Sequence, residues 1–408
     1  MTYIHRSLER KFLKMNSAFK VVMVTGARQV GKSTMLKHLA QDTGRVCVSM
    51  DDADARELAQ RDPKLFFQMY RPPLLIDEVQ KAPALFEEIK ILCDESDERG
   101  RFWLTGSQSK KLMKQAGDSL AGRICLLKMY SLSAKELAGK ADDIPDEFSF
   151  PSLVKRSRGY PDNNILDVYS RIWKGGMPDM VSMDEELCRE YWNSYIDAYL
   201  MRDAVDDNGI QNTEGFRKFL RACASFSGQL VNYNDLGNAA EVSGVTAKEW
   251  LNVLQTMGIV FLLEPYYNNE LKRMVKTPKL YFCDTGLCAF LSSWTSRDTL
   301  INGAASGHYL ENYVVAEMLR NTSYGEKKMN LNFYRDTNQK EIDLVLELDG
   351  KLHAFEVKRA ASPDRRLIRA FSLLEKSGKE MGPGGIICMA EKPFPMDAVN
   401  SLIPVNLL

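Results

Sequence analysis

The stretch Val21-Val-Met-Val-Thr-Gly-Ala-Arg-Gln-Val-Gly-Lys-Ser-Thr-Met-Leu-Lys-His-Leu39 reads as a buried strand, a glycine loop and the first turns of a helix. Val21 to Thr25 is a short apolar, β-branched run suited to a strand buried on both faces, and Met35, Leu36, Leu39 and Ala40 recur at helical spacing. Between them Gly26, four residues and Gly31-Lys32-Ser33 satisfy G-x-x-x-x-G-K-[ST] in the context that motif demands. The candidate cradle is therefore Gly26, Ala27, Arg28, Gln29, Val30, Gly31, Lys32, Ser33 and Thr34. A triphosphate needs many donors close to its oxygens, and only backbone free of side chains approaches that closely; the positive end of the following helix adds to the field. Lys32 is expected to reach the β/γ-phosphates of ATP, and the Ser33 hydroxyl to be a ligand of Mg²⁺.

Outward from this loop, Val46 to Met50 reads as a second strand and Arg71-Pro-Pro-Leu-Leu-Ile-Asp-Glu78 as a third that ends in two carboxylates, the Walker B pattern. In an open α/β sheet ligands lie beyond the carboxyl ends of the strands, where a nucleotide's metal would sit. Asp77 is expected to hold Mg²⁺ and Glu78 to orient or deprotonate the attacking water; the plainer alternative is that the pair caps the next helix. Phe102 to Thr105 and Ile124 to Met129 read as strands four and five. If strand four lies between the first and third, Ser107 is placed to sense the γ-phosphate, with Thr105 and Gln108 as alternatives. Arg123, just before strand five, has two readings: an arginine finger offered to a neighbouring subunit of a homo-oligomer, or a surface ion pair. Residues 1–20 read as an amphipathic lead-in helix with Ile4, Leu8, Phe12 and Met15 on one face.

At 408 residues the chain is too long for one core. Lys plus Arg equals Asp plus Glu at 54 each, so no bulk attraction to nucleic acid is expected and such binding requires a local patch. Eight cysteines are scattered without C-x-x-C pairs and only four histidines accompany them, which argues against a disulfide framework or a zinc site. No run is long enough for a membrane span and the N-terminus has no apolar leader core, so no membrane association and a cytoplasmic location are expected.

Residues 140–165, rich in Asp, Pro, Ser and Gly, read as a linker. Helical periodicity resumes from Tyr191 to Arg202. Asn234 to Ala240, Ser243 to Thr246 and Trp250 to Leu254, followed by a strand at Ile259 to Leu263, have a winged helix-turn-helix pattern. The second helix exposes Lys248, Glu249, Asn252 and Gln255, a nearly neutral set that favours packing or protein contact over direct reading of DNA. Further on, Gln339 to Lys358 alternates as two strands about an Asp349-Gly350 turn. With those two residues as the loop, Asp343 falls opposite Glu356 and Glu341 opposite Lys358. Period two puts these four on one face and Ile342, Leu344, Phe355 and Val357 on the other. Like charges directly opposite destabilise a sheet, which a divalent metal would reverse; a solvated face with a Glu341–Lys358 ion pair is the plainer reading.

Gly26 to Thr34, Leu75-Ile-Asp-Glu-Val-Gln80, Leu104-Thr-Gly-Ser107, Ser119-Leu-Ala-Gly-Arg123, Trp173-Lys-Gly-Gly-Met-Pro178 and Phe282-Cys-Asp-Thr-Gly-Leu287, in this order, resemble the bacterial and archaeal AAA-superfamily ATPases whose C-terminal half carries a domain of unassigned function. The resemblance implies an α/β protein. Its parts would be a P-loop AAA-type ATPase domain with a parallel sheet at 1–140, a helical and winged-helix domain at 165–295, and a nuclease-like α/β domain at 300–408. Asp343 and Glu356-Val-Lys358 resemble the PD-(D/E)xK nuclease core, with Glu311 as a further ligand for Mg²⁺ or Mn²⁺ and Lys358 near the attacking water. Arg365, Arg366 and Arg369 would supply a phosphate-binding patch. Two functions are open: ATP hydrolysis coupled to cleavage of DNA or RNA, and an ATP-dependent switch that binds a protein partner through an inactive nuclease-like domain.

Overall fold

The first strand, β1 (Val21–Gly26), is buried along its whole length, as its unbroken apolar run requires. The computed structural model describes residues 3–107, 110–206, 208–267 and 276–408. After β1 come α2 (Lys32–Ala40), β2 (Val46–Ser49), α3 (Ala53–Arg61), α4 (Pro63–Met69), β3 (Leu74–Asp77), α5 (Leu85–Asp94), β4 (Phe102–Ser107), α6 (Lys110–Ser119) and β5 (Ile124–Lys128); α1 (Leu8–Asn16) precedes them. The five strands form one parallel sheet in the order β2-β3-β4-β1-β5. Strand β4 therefore lies between β1 and β3, and their carboxyl ends bring the loop, Asp77 and Ser107 to one edge. Helix α1 buries Leu8 and Phe12, the latter edge-on to Trp103 with ring centroids 4.9 Å apart.

The expected linker is packed structure. Just before it a capping box of Ser133 and Glu136 starts α7 (Ala134–Leu137), and within it lies α8 (Phe150–Ser157). Phe148 sets its ring 5.0 Å from that of Phe355, and the Arg156 guanidinium donates to the Leu407 carbonyl at 3.1 Å. The polar composition of 140–165 marks turns and caps, while the buried Phe148 and Leu153 anchor the segment in the core.

The middle of the chain is helical: α9 (Ile165–Lys174), α10 (Glu185–Tyr195), a π-helical turn at Ile196–Leu200, α11 (Met201–Asp206), α12 (Thr213–Ser225), α13 (Tyr233–Ala239) and α14 (Gly244–Thr256). Strand β6 (Val260–Leu263) pairs antiparallel with β7 (Lys279–Phe282). Two glycine motifs distant in sequence meet here. A Cβ on Gly175 would lie 2.1 Å from Asp284 Oδ1, one on Gly286 2.3 Å from the Lys174 carbonyl, and the Gly176 N–H donates to Asp284 Oδ2 at 2.9 Å. Only glycine permits that approach.

After α15 (Thr285–Leu291), α16 (Arg297–Asn302) and the long α17 (Ser306–Tyr324), strands β8 (Met329–Arg335), β9 (Glu341–Leu348), β10 (Lys351–Lys358), β11 (Gly384–Cys388), β12 (Phe394–Pro395) and β13 (Asn400–Pro404) form a mixed sheet ordered β12-β13-β11-β10-β9-β8. Asp349 and Gly350 both have positive φ, 51° and 80°, the turn that matches strand twist. Pairing runs from Lys351↔Leu348 to Phe355↔Leu344, the expected register, and stops there. Against β8 the register slips between Asn332↔Val345 and Tyr334↔Ile342. This bulge breaks the period-two face expected for the carboxylates: Ile342 packs with Tyr334, Val345 and Leu352, whereas Leu344 stays with Phe355 and Val357.

Candidate functional site

Gly26 has φ 149°, and a Cβ there would lie 2.1 Å from the Met129 carbonyl oxygen, so the turn out of β1 demands glycine. Gly31, at φ 95°, starts α2 and points the amides of the helix N-terminus into the loop. Lys32 is buried, its ammonium donating to the carbonyls of Gly26 at 3.1 Å and Ala27 at 2.8 Å, and burial pulls its pKa down to about 8. Arg6 braces the loop from behind, donating to the carbonyls of Val30 and Tyr130, each at 2.7 Å, and to Glu136 at 3.1 Å. Nothing local distinguishes Arg6 from other charges of the lead-in segment, and only the packing of α1 under the loop assigns it this role.

At the end of β3, Asp77 Oδ1 accepts from the hydroxyls of Ser33, at 2.5 Å, and Thr105. A carboxylate and a hydroxyl that already converge fit a Mg²⁺ ion bound between loop and strand. Glu78 is left-handed at φ 57°, its N–H donates to Thr105 Oγ1 at 3.0 Å, and its carboxylate makes no capping hydrogen bond to the short 3₁₀ turn that follows. Gln80 instead holds that carboxylate and reaches Ser107 Oγ at 3.0 Å. It thus joins the base candidate to the γ-phosphate sensor candidate, and Gly106 keeps the space it needs. The motif around Leu75 to Gln80 contained Gln80 without showing this bridge. Gln108 lies outside the described residues.

The middle domain closes over the loop. Arg28 Nε donates to Asp203 Oδ2 at 2.5 Å, and the Tyr191 hydroxyl donates to Gln29 Oε1 at 2.8 Å, with Gln29 at φ 60°. Tyr195, Tyr199, Leu200 and Met257 wall the same space, and Pro178 approaches Gly31. Arg123 stands apart. It precedes the N-terminal end of β5, at the sheet edge opposite the loop, and its guanidinium is bidentate to Asp94 at 2.7 and 2.9 Å.

In the C-terminal domain Asp343, Glu356 and Lys358 do meet. Lys358 Nζ lies 2.9 Å from Glu356 and 3.3 Å from Asp343, whose Oδ2 also accepts the Val357 N–H at 2.8 Å. Burial first, and the Asp343 charge second, push Glu356 up to about 8. Glu311 is elsewhere engaged, accepting from Tyr281 at 2.6 Å and from Lys279 at 3.0 Å; burial raises its pKa. Lys279 also pairs with Glu341 at 2.5 Å, and Glu341 with Arg335 at 2.9 Å, so the expected Glu341–Lys358 pair is replaced. Among the described residues no group of three or more His, Cys, Asp or Glu side chains is arranged to hold a metal. Lys358 and, from β7, Lys279 supply countercharge to the carboxylates expected to bind Mg²⁺ or Mn²⁺. Of the arginine patch, Arg366 pairs with Asp364 and Arg365 lies over Phe394.

Residues 18–138 match the family model of the AAA domain, while 165–298 and 306–408 each match a model described as a domain of unknown function. An uncharacterized protein of Mycobacterium tuberculosis is 26% identical over 389 residues, 95% of this chain and 80% of that protein. One of Methanocaldococcus jannaschii is 22% identical over 360 residues, 84% and 75% respectively. Among solved structures, the Walker-type ATPase of Pyrococcus abyssi aligns with 71% of this chain and 96% of its own at 13% identity and a TM-score of 0.45. Among the described residues no helix is long and apolar enough to cross a membrane. The loop, the convergent Ser33 and Asp77 and the AAA-domain match fall on one stretch of the chain, and together they support ATP binding and hydrolysis by its N-terminal part.

Proposed function

We propose that the chain is an ATP-dependent switch, in which the nucleotide bound by the P-loop domain governs the seating of the middle domain, and the C-terminal domain is a scaffold for a protein partner. The observation that carries this is the grip of Asp203 and Tyr191 on two residues of the phosphate loop, Arg28 and Gln29. An arginine held by a carboxylate is poised to exchange it for phosphate, since both are planar or tetrahedral anions that match the guanidinium fork. Lys32 then leaves the loop carbonyls for the β/γ-phosphates. Ser33 and Asp77 would hold Mg²⁺, which would neutralise phosphate charge when bound. Glu78, kept in place by Gln80, takes the proton of the attacking water, and Ser107 at the other end of Gln80 faces the γ-phosphate. Hydrogen exchange on the Glu78→Gln protein tests this. ATP with Mg²⁺ should speed exchange in residues 191–206, and an unchanged pattern there overturns the switch.

A second reading, cleavage of DNA or RNA by the C-terminal domain, has in its favour the meeting of Asp343, Glu356 and Lys358. Calorimetric titration of the full chain with Mn²⁺ separates the readings: a heat that disappears with Glu356→Ala supports the nuclease, and no such heat supports the scaffold.

A further inference from the structure

Away from the phosphate loop, α10, α12 and the end of α15 enclose a cleft of about 290 Å³. Arg189 enters it from α10; Arg217 and Arg221, one helical turn apart, enter from α12; Phe290 and Trp294 form the apolar wall. Among the described residues that line it, only Asp197 answers this charge, pairing with Arg217 at 2.6 Å. Among the described residues the guanidiniums of Arg189 and Arg221 have no hydrogen-bond or ion-pair partner. Like charges at i and i+4 cost stability, and a third arginine facing them adds to it. The wall is already rigid, because Trp294 stands edge-on to Tyr309 with centroids 6.2 Å apart and its carbonyl accepts the Trp173 indole N–H at 2.9 Å.

We infer that this cleft binds a nucleotide unit, the phosphate on the arginine forks and the base against the Trp294 and Phe290 wall. Guanidinium forks recognise phosphate bidentately, and aromatic faces accept any base. The volume is at the lower limit of ligand-sized pockets, which suits one base with its phosphate better than a run of acidic peptide. It also gives the middle domain a basic site that the nearly neutral α14 lacks. The unit has two sources, a free mononucleotide or the end of a single strand, and their shared chemistry is what the cleft reads.

Fluorescence anisotropy of the full chain carrying Lys32→Ala, which silences the ATP site, tests this with labelled single-stranded oligothymidylate and with thymidine monophosphate as competitor. The expected result is salt-sensitive binding that weakens about a hundredfold in Arg189→Ala/Arg221→Ala, with Arg221→Lys retaining part of it. Competition by the mononucleotide at similar concentration assigns the free ligand; competition only by the oligonucleotide assigns the strand. Binding unaffected by the double substitution, no binding of either probe, or tighter binding of an oligoglutamate peptide overturns the assignment. Both arginines are exposed, so the variant is expected to fold, and an unchanged melting temperature verifies that.

Discussion

Replacing Asp203 by Asn should make the protein bind ATP more tightly. The pair it forms with Arg28 is 2.5 Å long, with side chains 21% and 11% exposed, so it stands between a solvated and a buried ion pair. Exposed pairs contribute about 0.2–1 kcal/mol, and removing one member of a buried pair costs about 3–5 kcal/mol. An intermediate value of about 2 kcal/mol leaves roughly 3% of the molecules with the loop released, and the apparent dissociation constant is raised by that fraction. Asp203→Asn removes the charge with little change of shape and should therefore lower the apparent Kd for ATP roughly thirtyfold. Tyr191→Phe, which loses one neutral hydrogen bond to Gln29, should lower it about fivefold. Titration calorimetry with ATP and Mg²⁺ measures both. An unchanged or weaker affinity for Asp203→Asn, with a lower melting temperature, would mean that the pair only anchors the fold.

Lys32→Ala should abolish tight ATP binding, whereas Glu78→Gln should bind ATP and lose turnover by about 10²–10⁴-fold in a phosphate-release assay. Arg123→Ala should leave ATP turnover within about twofold, since its side chain is spent on Asp94 at the far edge of the sheet; slow turnover restored by mixing with Lys32→Ala protein would instead place it at a neighbour's nucleotide. Because Glu356 is raised from 4.5 to about 8, the folded state holds its proton more tightly than the unfolded chain, so its contribution is favourable at low pH and fades as pH rises between those values. Denaturant titrations of wild type and Glu356→Gln should diverge across that window, the variant losing less stability toward pH 8.

Some of this protein is written in short stretches. The loop from Gly26 to Ser33 and the strand ending in Asp77-Glu78 are legible because backbone curvature, helix dipole and a terminal carboxylate are local requirements, met within a few residues. The Asp349-Gly350 hairpin is legible for the same reason, since two residues with positive φ dictate the pairing of their flanks. The balance of 54 basic and 54 acidic residues, which leaves no bulk charge for nucleic acid, is likewise plain in the sequence. Tertiary structure alone decided the rest. The position of β4 between β1 and β3, which brings Ser107 beside the loop, depends on strand order, and no local periodicity encodes order. The slip between β8 and β9 that moved Ile342 away from Leu344 arises from fitting two strands together. Lys279, Arg6 and Asp203 act on residues more than twenty positions away in the chain, Asp203 on Arg28 across 175. Each looks like an ordinary surface charge until packing removes water and leaves one partner within reach, and that step belongs to the folded chain as a whole.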